Sequence, residues 1–218
     1  MKRLFIVILS ITVGFFSFSC EKIPDKEDAN ELKGDQSPMG EIGATVSSSS
    51  AEIAGVSDFS AVVTSLKDGV SSYTATAKVS NTLIKNMVSN FPGVTINGDQ
   101  VSITDLKMQQ TKEGIKCNTG PGAGVLVKYD SNVGDTYPIG NTGKERKVVS
   151  KTGVDDYPYG FMLIKTIQVE TDPNILKNTG GINKITYIAN HKFGMVGVKV
   201  DFDDEASVTF PVYSSAEN

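Results

Sequence analysis

The sequence predicts a mainly β protein, with antiparallel sheets in a sandwich or barrel-like arrangement and one short helix, about 81–90, packed on a sheet. Three observations carry this expectation. Apolar residues alternate at period two, as in Tyr73, Ala75, Ala77 and Val79, the pattern of a strand with one buried face. The alternating runs are short and separated by turn dipeptides such as Asp68-Gly69 and Asn97-Gly98, which between strands mark hairpins. One stretch changes period: Leu83, Ile84, Met87, Val88 and Phe91 fall at helical spacing.

Taken in order, Phe59 to Leu66 reads as a strand, turns at Lys67-Asp68-Gly69 and returns as Val70 to Val79. Ser80 or Asn81 can cap the helix, and Pro92-Gly93 ends it. Its single apolar stripe suits packing on a sheet. Short strands follow at 94–96, 101–103, 106–108, 115–117, 125–129, 137–139 and 147–149. Phe161 to Val169 reads as one longer strand begun by Pro158 and Gly160. A helical turn is expected around Ile175–Asn178. Ile185–Ala189, Met195–Phe202 and Ser207–Tyr213 read as a closing three-stranded meander, and the tail 214–218 is expected to fray. Connections of a few residues favour antiparallel neighbours.

The chain opens with Met1-Lys2-Arg3, an apolar run from Leu4 to Phe18, and Ser19-Cys20. A charged start followed by an apolar core of this length is a signal-peptide pattern, and the core is short for a membrane span. Small Ser17 and Ser19 around Phe18, directly before Cys20, resemble the lipobox of bacterial lipoproteins. That resemblance implies cleavage before Cys20, diacylglycerol on its thiol and a membrane partner reached through acyl chains. The organisation expected is a signal peptide at 1–19, a lipidated cysteine with a disordered tether at 20–51, and a single β-rich domain at 52–215. The tether reading rests on the charged stretch Glu21–Asp35 and the serine run Ser47–Ser50, which offer little apolar surface to bury. The acidic cluster Asp25–Asp28 resembles the export signal of Bacteroidetes-type surface lipoproteins, set later than usual after the cysteine. Together these imply a cell-envelope protein at the outer membrane, facing the periplasm or the surface.

Composition narrows the function classes. Lys2 and Arg3 leave with the leader, so 21 Lys+Arg and 25 Asp+Glu become 19 and 25, a balance of −6. A mildly acidic domain does not grip nucleic acid electrostatically, so no nucleic-acid partner is expected. The chain has two cysteines, and lipid on Cys20 would leave Cys117 without a disulfide partner. A single histidine, His191, and a single remaining cysteine do not make a zinc ligand set. No metal, cofactor or catalytic residue is therefore assigned, although Asp201, Asp203 and Asp204 are the candidates for a calcium ion if one binds. Gly120-Pro-Gly-Ala-Gly124 lacks the Lys-Ser/Thr of a phosphate loop and reads as a turn.

The loop Asp155-Asp156-Tyr157-Pro158-Tyr159-Gly160-Phe161 stands out. Tyrosines beside carboxylates can stack on a sugar and bond its hydroxyls, so Tyr157 and Tyr159 are the candidate ligand-binding residues. The function expected is a lipid-anchored binding or adhesion module for a glycan or protein ligand. A glycan hydrolase using carboxylates assembled by the fold, and a structural envelope component, are the alternatives.

Overall fold

In the computed structural model, residues 30–172, 175 and 180–218 are described. Two antiparallel sheets face each other. The first contains β1 (Thr45–Ser47), β2 (Val56–Lys67), β3 (Val70–Val79), β4 (Val94–Asn97), β5 (Gln100–Gln110), β6 (Gly114–Cys117), β7 (Gly124–Lys128) and β16 (Tyr213–Ser214). Its order is β16-β1-β2-β3-β5-β6-β7, with β4 paired to the start of β5. The second contains β8 (Thr136–Pro138), β9 (Glu145–Lys151), β12 (Ile167–Thr171), β13 (Ile182–Asn190), β14 (Gly194–Phe202) and β15 (Ser207–Pro211), in the order β15-β14-β13-β12-β9-β8. A separate hairpin, β10 (Tyr157–Tyr159) with β11 (Met162–Ile164), lies on the outer face of β13 and β14, where Tyr159 and Ile164 meet Ile188 and Val196.

The first sheet curls. Asp58 in β2 and Asp105 in β5 have φ of 54° and 58° and lie beside shifts of register, the bulges that bend a strand. The hairpin joining β2 to β3 turns through Asp68 and Gly69, with φ of 52° and 74°, as the Asp-Gly signal requires. Chain continuity crosses both seams between the sheets. The chain leaves edge strand β7 of the first sheet and enters edge strand β8 of the second. At the other seam Val212 N–H still donates to Val196 O at 3.0 Å, and the next residue, Tyr213, already pairs with Ser47. The sandwich is thereby barrel-like.

The interior is unevenly filled. Between β6–β7 and β9–β12–β13 it is dense: Val125, Val127, Val148, Val169 and Ala189 have no exposed surface. The helix α1 (Thr82–Val88) closes one end of the sandwich. Asn81 Oδ1 accepts from the N–H groups of Leu83 and Ile84 at 3.0 and 3.2 Å, which caps it. Ile84 is buried beside Ala77, Val79 and Val101, and Phe202 and Phe210 of the second sheet pack onto the same cluster.

Three expectations need correction. The segment assigned to a disordered tether, 20–51, is ordered over its described part, from Asn30. Leu32 enters the dense core, Ser37, Met39 and Gly40 are buried in a short 3-10 turn, and 45–47 is β1. Few apolar residues are needed when a segment adds to a surface that other strands have built. The long strand expected over Phe161–Val169 is broken: Gly160 turns the hairpin, and β12 starts only at Ile167. The tail is tied down, with Ser214 in β16 and Asn218 N–H donating to Lys192 O at 2.9 Å. Cys20, the acidic cluster Asp25–Asp28 and the expected helical turn, apart from Ile175, lie outside the described residues.

Candidate ligand cavity

Where the first sheet curls away from the second, it carries small residues. Ala61 on β2 is the direct partner of Ala75 on β3, and Ala77, two residues on, occupies the same face. Neighbouring inward positions on β5, Val101, Ile103, Leu106 and Met108, are larger. A flat sheet would bring the facing side chains of β14 into contact with the alanines. The bulges prevent this, and a cavity of about 410 Å³ remains between the sheets. That volume is within the ~300–1,000 Å³ typical of small-molecule sites. Tyr187, Met195 and Val198 form the opposite wall.

The cavity has two distinct ends. At one, Ile84, Val88 and Phe91 of α1 and its C-terminal extension line it. At the other sits the turn 38–40. Met39 is 2 % exposed and spans the two sheets. Its carbonyl accepts from the Tyr73 hydroxyl at 3.0 Å, and a Cβ on Gly194 would lie 2.6 Å from its sulfur. A side chain there, at a φ of 70°, would be strained and would push the Met39 thioether from its seat. Gln110 Nε2 donates to Tyr73 Oη, and the Ser71 hydroxyl donates to Gly40 O at 2.6 Å. Burial pushes the Tyr73 phenol up to about 12, opposed by the Gln110 bond.

Among the described residues no charged side chain lines the cavity; its polar groups come from Tyr73, Thr76, Gln110, Tyr187 and Ser214. Such walls bind by removing apolar surface from water, at about 0.8 kcal/mol per buried CH₂. They disfavour an ionic group, which would be desolvated without a partner. The neutral polar end at Tyr73 and Gln110 suits a hydroxyl, ester or amide.

Behind the cavity wall lies a charged residue that sequence reading passes over. Arg146 on β9 has no exposed surface. Its Nη1 donates to Val125 O at 3.0 Å, its Nη2 donates to Gly122 O, and its guanidinium lies 5.9 Å above the Tyr187 ring. The glycine-rich stretch Gly120–Gly124 is thus a turn, as expected, and it wraps a guanidinium. Burial pushes the Tyr187 phenol up.

The residues singled out in the sequence fall elsewhere. Tyr159 is 9 % exposed, its ring packed 4.9 Å from Phe193 and 5.3 Å from Tyr213, so no face is free to stack on a sugar. Tyr157 is half-buried, with its hydroxyl against Gly197, where a Cβ would lie 2.6 Å away. The loop exposes Asp155 and Asp156 ahead of the hairpin and, at its turn, three large apolar residues, Phe161, Met162 and Leu163. Asp201 forms ion pairs with Lys199 at 3.0 Å and Lys184 at 3.8 Å. Burial pushes its carboxyl up, and the Ser207 hydrogen bond with the two lysines outweighs this and holds it below the usual range. Asp203 and Asp204 are exposed at the following turn, and Asp204 Oδ1 accepts from Ala206 N–H at 3.1 Å. Among the described residues no three His, Cys, Asp or Glu side chains come together as a metal site. Cys117 is buried, and burial raises its thiol. His191 is exposed and does not line the cavity. Among the described residues no helix is long and apolar enough to cross a membrane. Compared with family models, curated proteins and solved structures, the chain matches none.

Proposed function

We propose that this is a lipid-anchored protein of the cell envelope whose β-domain binds an apolar, uncharged ligand between its two sheets. The observation that carries the binding role is the cavity of about 410 Å³, lined among the described residues by no charged side chain. Long single-chain or fused-ring molecules with one neutral polar group fit that description. Along β3, Tyr73 to Val79 sets a length of about 20 Å at a rise of ~3.3 Å per residue. The anchor rests on Ser17-Phe18-Ser19-Cys20 and its resemblance to a lipobox. Acyl chains on Cys20 would hold the domain at the outer membrane, and no nucleic acid is a partner in this reading.

Two measurements test it. Titration with a fluorescent apolar probe, followed by competition with fatty alcohols and fatty acids, reads the cavity. Saturable binding, stronger for the alcohol than for the ionised acid and lost in Ala75→Leu, is the expected result. Binding that Ala75→Leu leaves untouched sinks the cavity reading. For the anchor, Cys20→Ala is expected to leave an uncut precursor without lipid. An unchanged mature N-terminus and unchanged detergent partitioning in that variant refute it.

A further inference from the structure

Three consecutive large apolar residues, Phe161, Met162 and Leu163, are exposed at the turn of the β10–β11 hairpin, and Val154 is exposed in the loop leading to it. The exposure is held in place. Ile164 is buried, Tyr159 is wedged against Phe193 and Tyr213, and Tyr157 closes on Gly197. The hairpin stands on a packed aromatic base, and the base keeps the tip from folding back.

We propose that this hairpin is a membrane wedge whose tip inserts into the interfacial layer of a bilayer with zwitterionic or uncharged headgroups. Phe161 is fully exposed on a convex turn, and a bilayer accepts a convex tip without offering a matching groove. Asp155 and Asp156, both exposed, precede the hairpin, and one exposed cation, Lys165, follows it, so its flanks stay net acidic. Their charge opposes an anionic surface and keeps insertion shallow.

The position of the hairpin gives the insertion a purpose, and here the inference rests on the cavity reading. Phe193 touches Tyr159 on one side and lines the cavity on the other. The adjacent Gly194 is the seat of Met39. A docked tip therefore brings the plugged end of the cavity close to the lipid surface, where an apolar ligand can be exchanged without crossing water.

The chain contains no tryptophan, so one introduced at the tip is a clean reporter. Full-length Phe161→Trp is reconstituted in phosphatidylcholine vesicles, with Ile96→Trp, exposed on β4 at the α1 end of the cavity, as reference. The expected result is a blue-shifted emission for Phe161→Trp, quenched severalfold more by lipid brominated near the headgroup than Ile96→Trp is. Equal acrylamide quenching of both variants, with no bromolipid quenching of either, overturns the proposal. A blue shift without lipid that follows concentration-dependent dimerisation also overturns it and gives the tip to a second copy of the chain. Bromolipid quenching does not involve the cavity, so this test and the probe titration can fail separately.

Discussion

Ala61 and Ala75 are direct partners across β2 and β3, and both point into the space between the sheets. In a filled core such a pair would meet large side chains from the other sheet. Here it borders a cavity, so larger residues have room. Ala75→Leu and Ala61→Val are expected to raise stability by about 0.5–2 kcal/mol, as cavity-filling changes do. Overpacking of a dense core would instead cost about 1–3 kcal/mol. Thermal unfolding of the ligand-free protein checks the sign.

The segment 30–44 is part of the domain, so its removal is not silent. Met39→Ala is expected to cost about 2–5 kcal/mol, the range for truncating a buried methionine. Limited proteolysis should yield a stable fragment that retains Leu32 and Met39. A fragment beginning at 52, equal in melting temperature to one beginning at 30, would refute the plug.

Burial raises the phenols of Tyr73, Tyr129, Tyr137 and Tyr187. A phenol titrating higher in the folded than in the unfolded chain favours the folded state while protonated. That stability is fully present below the unfolded pKa of about 10 and is lost as pH rises through the folded value. For Tyr73 the upper end of this window is about 12. Ultraviolet titration should show these tyrosines ionising together with unfolding. Gradual ionisation at pH 10 with the fold intact would contradict their burial.

Arg146 supplies donors to the Gly122 carbonyl of the glycine-rich turn and to the Val125 carbonyl of β7. Arg146→Ala strips Gly122 and Val125 of their partners, at about 1–3 kcal/mol for each buried group left unsatisfied. Arg146→Lys should recover part of this, since an ammonium reaches one carbonyl but lacks the fork. Denaturant midpoints of the two variants rank the effects, and a lysine variant no better than alanine would show that the fork geometry is essential.

The strands were legible because their signals are local. Period two in Tyr73–Val79 and the dipeptides Asp68-Gly69 and Asn97-Gly98 need no knowledge of distant residues. The cavity was not legible for the complementary reason. Ala75 counts as apolar in a pattern just as Val79 does, and only the opposite sheet shows that its small size leaves space. Arg146 hid in the charged run Glu145-Arg146-Lys147, and its acceptors come from another strand. The tyrosines of the 157–161 loop were noticed for their chemistry. Their burial depends on Phe193 and Tyr213, far along the chain.

The strand pair β1–β16 joins segments 170 residues apart, where Thr45 N–H donates to the Ser215 hydroxyl at 2.9 Å. Of the sixteen strands among the described residues, β16 is the last to emerge during synthesis or export. Until it does, β1 has one neighbour, and one seam between the sheets stays open. Loop closure over such a span is slow compared with hairpin formation. During that interval the apolar interior faces solvent with an unpaired edge, a state in which chaperone capture and misassembly compete with completion. The closing residues Tyr213 and Ser214 therefore control when the protein becomes safe from aggregation, a property that refolding kinetics of chains ending before and after β16 would expose.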